Sequence, residues 1–452
     1  MMRSVRRSSR PMTVLALMAV ALAGCAGVSD PTPTSPSGAS TGPAVPPITA
    51  KDPKAPVTLT FWTGQASDAQ TLLEKKTKEF TALHPNVTIK ASSGAPTTDD
   101  LLQKLSASFA AGTYPDISYA YGSWASELAA SGRTLDISGN VADPSMAWEE
   151  IPTAARETAS PGGKTIGVPA LVDNLALFYN KTVFDNAGLP YPDETMTWPQ
   201  FREIAKKLTD PSKNIFGTAF DVTGGEGSTW AIWPQLWQNG GRILSADEKT
   251  AEFNSQAGID AVQFWRDLTL VDKSVYLDQT AEKAAPLFYS NNIGMLMTGP
   301  WVLFDLGEQK TRYGVTVLPG TNGDHQTVSG PDLWVLYDHE DANRAYWSFE
   351  FIKWLTSAEQ DLTWNVEFGN LPLRTTEQNT PEFAAKVKEF PAYAVLTKNL
   401  ENAKQKRPTV QGYVGLSKAF GDAVSKILQG QLETKAGLDD AKVKADRALA
   451  DQ

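Results

Sequence analysis

From about residue 57 onward the chain shows two alternating kinds of hydrophobic pattern. Val57, Leu59 and Phe61 alternate with Thr58 and Thr60 and run to Trp62 ahead of Gly64, as a half-buried strand entering a loop does. Leu72, Leu73, Phe80 and Leu83 then recur at helical spacing and stop at His84-Pro85, since a residue ahead of proline is pushed out of the helical region. Val87-Thr88-Ile89 predicts a second strand. Leu101, Leu102, Leu105 and Phe109 predict a second helix ending near Gly112, and residues 116–121 a third strand leading into a short helix that stops at Gly132. Strand, helix, strand, helix, strand implies a parallel sheet with crossover helices, in which ligands sit beyond the carboxyl ends of the strands. Trp62, closing the first strand, and Tyr121 with Trp124, following the third, fall at such ends.

Further along, Thr197 is placed to cap a helix with Pro199 in its first turn, running through Phe201 and Ile204 to Leu208. Residues 258–270 carry Ile259, Val262, Phe264, Trp265 and Leu268 mostly on one helical side. Residues 291–298 read as a buried strand that Gly299-Pro300-Trp301 turns into a short helix. Residues 343–356 and 413–432 read as two more helices, the first rich in aromatics. No internal repeat is visible. Residues 57–452 exceed the usual size of a single core, so two lobes are expected.

The first 25 residues follow other rules. Arg3, Arg6, Arg7 and Arg10 precede a short apolar run, Val14 to Leu22, that is too short to span a bilayer. Leu22-Ala23-Gly24-Cys25 ends it with small residues and resembles the lipobox of bacterial lipoproteins. That resemblance implies cleavage before Cys25 and acylation of its sulfur, giving two or more acyl chains and stable membrane anchoring. Cys25 is the only cysteine, so an internal disulfide is impossible. Residues 26–56, rich in Pro, Ser, Thr, Gly and Ala, read as a disordered tether. No other stretch approaches 18 consecutive apolar residues, and the rest is expected to stay outside the membrane.

The formal net charge of −10 argues against a nucleic-acid partner. The three histidines, His84, His325 and His339, show no metal-ligand spacing, and neither a Gly-x-Ser-x-Gly elbow nor a phosphate loop occurs, so no metal or cofactor is expected. Carboxylates are plentiful, which leaves a secreted carbohydrate-active hydrolase as the alternative from another class.

The 13 tryptophans are the remaining candidate chemistry. Trp198, Trp265, Trp347 and Trp354 lie on periodic helices, where core packing explains them. Trp230, Trp233 and Trp237 share a spacing that would also suit a core stripe, but Pro234 interrupts it. The run Gly224-Gly225-Glu226-Gly227 just before suggests a loop delivering Trp230 and Trp233 to a cleft, with Trp237 in the core. An indole covers the apolar C–H face of a pyranose, while polar side chains must match its hydroxyls, because each unpaired buried group costs about 1–3 kcal/mol. Gln65, Asp173, Asn174, Asp332 and Arg374, all near expected turns, are the candidate polar partners.

Several stretches together resemble the extracellular solute-binding proteins of carbohydrate ABC importers, the maltose-, trehalose- and glycerol-phosphate-type binding proteins. They are Gly167-Val168-Pro169, Leu177-Phe178-Tyr179-Asn180-Lys181, Ala187-Gly188-Leu189, Thr197-Trp198, Gln238-Asn239-Gly240-Gly241 and Leu371-Pro372-Leu373-Arg374. The resemblance implies an α/β, two-lobed periplasmic-binding-protein-like fold of type II, with lobes at 57–166 plus 315–370 and 167–314 plus 371–452. Crossings are expected near 167–170, 315–319 and 371–374. The implied cleft comprises Trp62, Gln65, Tyr121, Ser123, Trp124, Asp173, Asn174, Trp230, Gly299, Trp301, Gly330, Asp332 and Arg374. Ser329-Gly330-Pro331-Asp332 departs from the family, where many members have a glycine-rich turn. The implied role is a monomeric lipoprotein without cofactor that captures a di- or oligosaccharide by lobe closure and hands it to a membrane permease. A glycerophosphodiester or polyol phosphate is the alternative ligand, for which Arg374 is the candidate cation.

Overall fold

The computed structural model describes residues 45–65, 67–95 and 98–450, all within the unit Ala44–Gln452. The export signal, Cys25 and most of the tether lie outside the described residues. The last part of the tether differs from expectation. Residues 45–56 have no regular structure but are held to the folded body, where side-chain amides take up their backbone donors: Ile48 N–H donates to Asn140 Oδ1 (2.9 Å) and Asp52 N–H to Asn343 Oδ1 (2.9 Å).

The strands, in chain order, are β1 (Val57–Trp62), β2 (Val87–Ser92), β3 (Ile117–Tyr121), β4 (Gly167–Asn174), β5 (Ala176–Asn180), β6 (Thr218–Asp221), β7 (Val275–Asp278), β8 (Met295–Thr298), β9 (Tyr313–Thr316) and β10 (Ser329–Leu336). The expected strand–helix–strand–helix–strand run forms, with helices Ser67–Leu83 and Thr98–Ala111 between parallel strands. The sheet it starts is mixed rather than wholly parallel. Its order is β2-β1-β3-β10-β4, and β10 runs antiparallel between β3 and β4. Trp334 of β10 is fully buried and meets Phe61 of β1 edge-on at 5.0 Å. Helix Ala342–Leu355, the expected aromatic-rich one, lays Phe351 against the same Phe61.

The second body is built on a three-stranded sheet, β8-β5-β9, and the parallel pair β6-β7. Thr197 caps helix Trp198–Leu208 as expected, and Gln200 completes a reciprocal capping box. Helix Tyr413–Leu428 ends earlier than the predicted residue 432, because Gly430 takes a left-handed conformation (φ +75°) and turns the chain into helix Thr434–Ala450. Of the expected strand 291–298 only β8 forms; Asn291 has positive φ and belongs to a turn.

The passages between the two cores also sit elsewhere than expected. Residues 167–174 were expected to begin the second lobe, yet β4 pairs along its length with β10, and Val168, Ala170 and Leu171 lie in the first core. Residues 315–328 were expected in the first lobe. Instead β9 pairs with β5, and Leu318 and Val328 are buried in the second core. The chain thus leaves the first core at Asn174–Ala176, returns at Val328–Ser329 and leaves again after Trp364. Leu371 bridges back to Val172, and Leu373 packs with Ile151, Ala155 and Val172.

The first body hangs on a buried carboxylate. Asp116, 1 % exposed, accepts from Thr60 N–H (2.7 Å) and from both Arg344 Nε (2.7 Å) and Nη2 (2.9 Å), tying β1, the entrance to β3 and helix Ala342–Leu355 together. Asp116→Ala leaves Arg344 and the Thr60 amide without their acceptor. It is expected to cost roughly 2–4 kcal/mol of stability, measured as a lower urea midpoint with unchanged slope.

Candidate ligand-binding cleft

Strand periodicity builds one wall of a cavity of about 930 Å³. Alternate residues of a strand share a face. Tyr119 and Tyr121 of β3, Leu171 and Asp173 of β4, and Gly330 and Asp332 of β10 therefore line the cavity together. Register brings Asp332 beside Tyr121 and Gly330 beside Asp173, and the β4–β10 pairing shifts between Asp332 and Leu333. Such a bulge re-aims side chains and recurs beside functional sites. The wall lies at the carboxyl ends of β3 and β4, as expected for open sheets.

The opposite wall comes from the second body. Helix Glu226–Trp230 begins within the run 224–227 and presents Trp230, whose ring stacks on that of Trp301 with centroids 5.6 Å apart and planes 23° from parallel. Trp301 is 39 % exposed. Gly299 makes room for it, since a Cβ there would lie 2.0 Å from the Trp301 ring. Phe304 and Phe368, 5.8 Å apart, extend the aromatic lining.

At the junction of the walls stands Arg407, 8 % exposed, donating through Nη1 to Glu226 Oε1 (2.7 Å) and lying 5.4 Å from the Trp230 ring. Burial works against its charge, but the nearby Glu226 outweighs it and keeps the guanidinium charged. Asp332 accepts the Tyr119 hydroxyl and, at 3.4 Å, the Gly122 N–H; burial pushes its carboxyl up to about 6. Asp173 accepts the Gly330 N–H at 3.0 Å, and burial, then the charge of Asp332, hold it well above the usual carboxylate range. Tyr119 is likewise raised, by burial first and Asp332 second. Gly330 fits between these groups because it lacks a side chain: a Cβ would stand 3.0 Å from Arg407 Nη2 and 3.1 Å from both Asp173 Oδ1 and Trp230 Cζ2.

Of the residues singled out from sequence, Gln65, Tyr121, Asp173, Trp230, Trp301, Gly330 and Asp332 line the cavity together. The others sit elsewhere. Trp62 packs on the first core under the Lys104 ammonium at 4.3 Å. Trp124 is buried against Tyr121 (4.7 Å), and Ser123 lines a separate pocket of about 540 Å³. Asn174 is fully buried and bonds Leu396 and Asn399. Trp233 is fully buried and stacks on Phe420 at 4.4 Å. The loop reading failed there because helix Trp233–Gln238 begins at Trp233, so Pro234 falls in the first turn, where its missing N–H costs nothing. Arg374 is buried in an ion pair with Glu377 (3.3 Å) and donates to the Met146 and Thr356 carbonyls, away from the cavity.

Pro331 explains the departure at 329–332. β3 ends opposite Asp332, so residues 329–331 pair only with β4, and a proline without N–H is tolerated on that locally open edge. Tyr119, Asp221, Glu226 and Arg407 were not foreseen as cleft residues. Tyr119 shares the alternation of Tyr121 and was legible from it, whereas Arg407 lies in an irregular segment with no pattern to flag it.

The profile of the bacterial extracellular solute-binding protein family matches residues 75–392. The sn-glycerol-3-phosphate-binding periplasmic protein of Brucella melitensis biotype 1 is 25 % identical over 319 residues, covering 66 % of this chain and 71 % of that protein. Among solved structures, the cyclic alpha-maltosyl-1,6-maltose binding protein from Arthrobacter globiformis superposes with a TM-score of 0.73 at 25 % identity, covering 88 % of this chain and 100 % of that one. UgpB from Mycobacterium tuberculosis, solved with glycerophosphocholine, shares the fold at a TM-score of 0.78 and 16 % identity, with 88 % and 99 % covered. The two-body architecture, the cavity between the bodies and the match across most of its length agree, and this chain belongs to the bacterial extracellular solute-binding proteins.

Proposed function

We propose that the protein is the ligand-capturing subunit of an ABC importer, that its ligand is a saccharide of more than one ring, and that it works by binding rather than catalysis. The observation that carries the reading is the pairing across one cavity of stacked indoles, Trp230 and Trp301, with buried acceptors, Asp173 and Asp332. Indoles cover sugar faces and carboxylates take hydroxyl donors, and a cavity of about 930 Å³ has room for more than one ring. The binding proteins for a cyclic maltosyl-maltose and for maltose that share this fold support the class. A polyol phosphate is less well served. Arg407 is the one cation among the described lining residues, and it is committed to Glu226. Arg374, the cation expected to serve such a ligand, is buried elsewhere.

In this reading the two bodies are lobes, 57–174 with 329–364 and 175–328 with 366–450, and ligand touching both stabilises the closed form that a permease recognises. Cys25 would carry the lipid anchor and hold the protein at the outer face of the membrane.

Trp230→Ala is expected to weaken calorimetric affinity for the cognate saccharide by roughly 10–100-fold while leaving the melting temperature of the free protein nearly unchanged, because the ring is only partly buried. Unchanged affinity would remove Trp230 from the site. Chromatography after prolonged incubation is expected to return the saccharide intact, and cleavage products would overturn the binding-only reading.

Asp332 predicts a pH dependence. Its carboxyl rises from 3.8 to about 6 in the folded protein, so its stabilising contribution is complete below the unfolded value and is lost as pH climbs through about 6. Melting of the free protein is expected to show this loss, and Asp332→Asn to flatten it. Saccharide affinity is expected to run the other way and rise through the same window, since the ionised carboxylate accepts the stronger hydrogen bonds.

A further inference from the structure

Charge balance in the cleft says more about the ligand than its aromatic lining does. Eight carboxylates line the cavity among the described residues, against one guanidinium and no lysine or histidine. At the inner end, Asp173 and Asp332 are each 6 % exposed, and the adjacent Arg407 is held by Glu226, so three carboxylates share one positive charge. Asp173 is the unfinished group. Gly330 N–H bonds its Oδ1, while among the described residues no donor reaches its Oδ2. Asp332, by contrast, is engaged on both oxygens by Tyr119 and Gly122.

Burying such an excess of negative charge is unfavourable unless something positive joins it. Burial does push both carboxyls toward protonation, in line with a missing counter-charge. A metal ion does not fit, because among the described residues no three acidic, His or Cys side chains converge to hold one. The stacked Trp230–Trp301 pair beside the carboxylates adds an aromatic face, which attracts cations.

We infer that the ligand bears a protonated amino group, as in an amino sugar or amino-substituted cyclitol unit, seated at Asp173 Oδ2 beside Asp332 and the Trp230 ring. An ammonium brings N–H donors to that oxygen, and its charge draws the Asp173 carboxyl back to the ionised form, giving charge-assisted bonds. A quaternary ammonium has no such donor and would leave Asp173 half satisfied. The inference rests on the saccharide reading and narrows it.

The test is a calorimetric comparison on the full protein of matched ligands: glucosamine and its β-1,4-linked dimer and trimer, their hydroxyl counterparts glucose, cellobiose and cellotriose, and the N-acetylated forms. Glycerol 3-phosphate and glycerophosphocholine complete the set. The amine-bearing member is expected to bind at least tenfold more tightly than its hydroxyl and acetylated partners at low salt. That advantage is expected to shrink as salt rises and to vanish in Asp173→Asn, which keeps an acceptor for Gly330. Asp332→Asn, expected to reduce it less, serves if the first variant melts abnormally. Equal or tighter binding of the neutral sugars, or an amine preference that survives Asp173→Asn, overturns the amino-group inference and leaves the saccharide reading standing. Tightest binding of glycerophosphocholine places a quaternary ammonium in the site and overturns it too. Binding of glycerol 3-phosphate in preference to every sugar overturns both.

Discussion

The structure depends on the antiparallel passage of β10 between β3 and β4. A strand returning from a long excursion through the second body completes the first sheet and buries Trp334 against Phe61. The same register sets Gly330 against Asp173 and Asp332 against Tyr121. Because a one-residue slip turns every side chain to the other face, the burial of Trp334 and the placement of the cleft acids are a single choice. The bulge at Asp332 separates two demands: the inner half of β10 packs a core, and the outer half supplies a wall.

Where the chain changes body it is held by side-chain amides and one hydroxyl. Asn399 donates to both Asn174 Oδ1 (2.7 Å) and the Leu175 carbonyl (2.9 Å), Thr327 donates to that same carbonyl (2.6 Å), and Asn402 donates to Asn399 Oδ1 (3.0 Å). Neighbouring outgoing and returning segments are thus fastened to helix Ala392–Asn399 and the turn after it. Directional bonds define the path of the backbone there, beside the small apolar cluster of Leu373 with Ile151, Ala155 and Val172. The proposed closure would pivot beside this cluster. Asn174, expected in the cleft, belongs to it.

Electrostatics divides the two arginines the same way. Arg374 satisfies backbone carbonyls and Glu377, and is structural. Arg407 faces the cavity, yet its charge is spent largely on Glu226. Both are buried beside a carboxylate, and what separates them is which surface their neighbours form.

Much of the architecture is local and therefore legible in the chain. The alternation at 57–62, the helical stripes that follow, the Thr197 cap and the aromatic helix after residue 342 each express a preference of a few adjacent residues. The family-like motifs pointed to the fold, and the strand-end rule found Tyr121 for the cleft. Local reasoning misjudged Trp233, because helix-compatible spacing with a proline does not say where the helix begins. It misjudged Arg374 and missed Arg407, because a side chain's partner far along the chain decides whether its charge is structural or available. Sequence by itself pointed to most of the elements, to the family and to several of the aromatic and acidic residues that line the cavity. Tertiary structure decided which aromatics face one another, which carboxylate oxygen is left without a donor among the described residues and where the chain crosses between bodies. Those depend on non-local register, which no short window of residues contains.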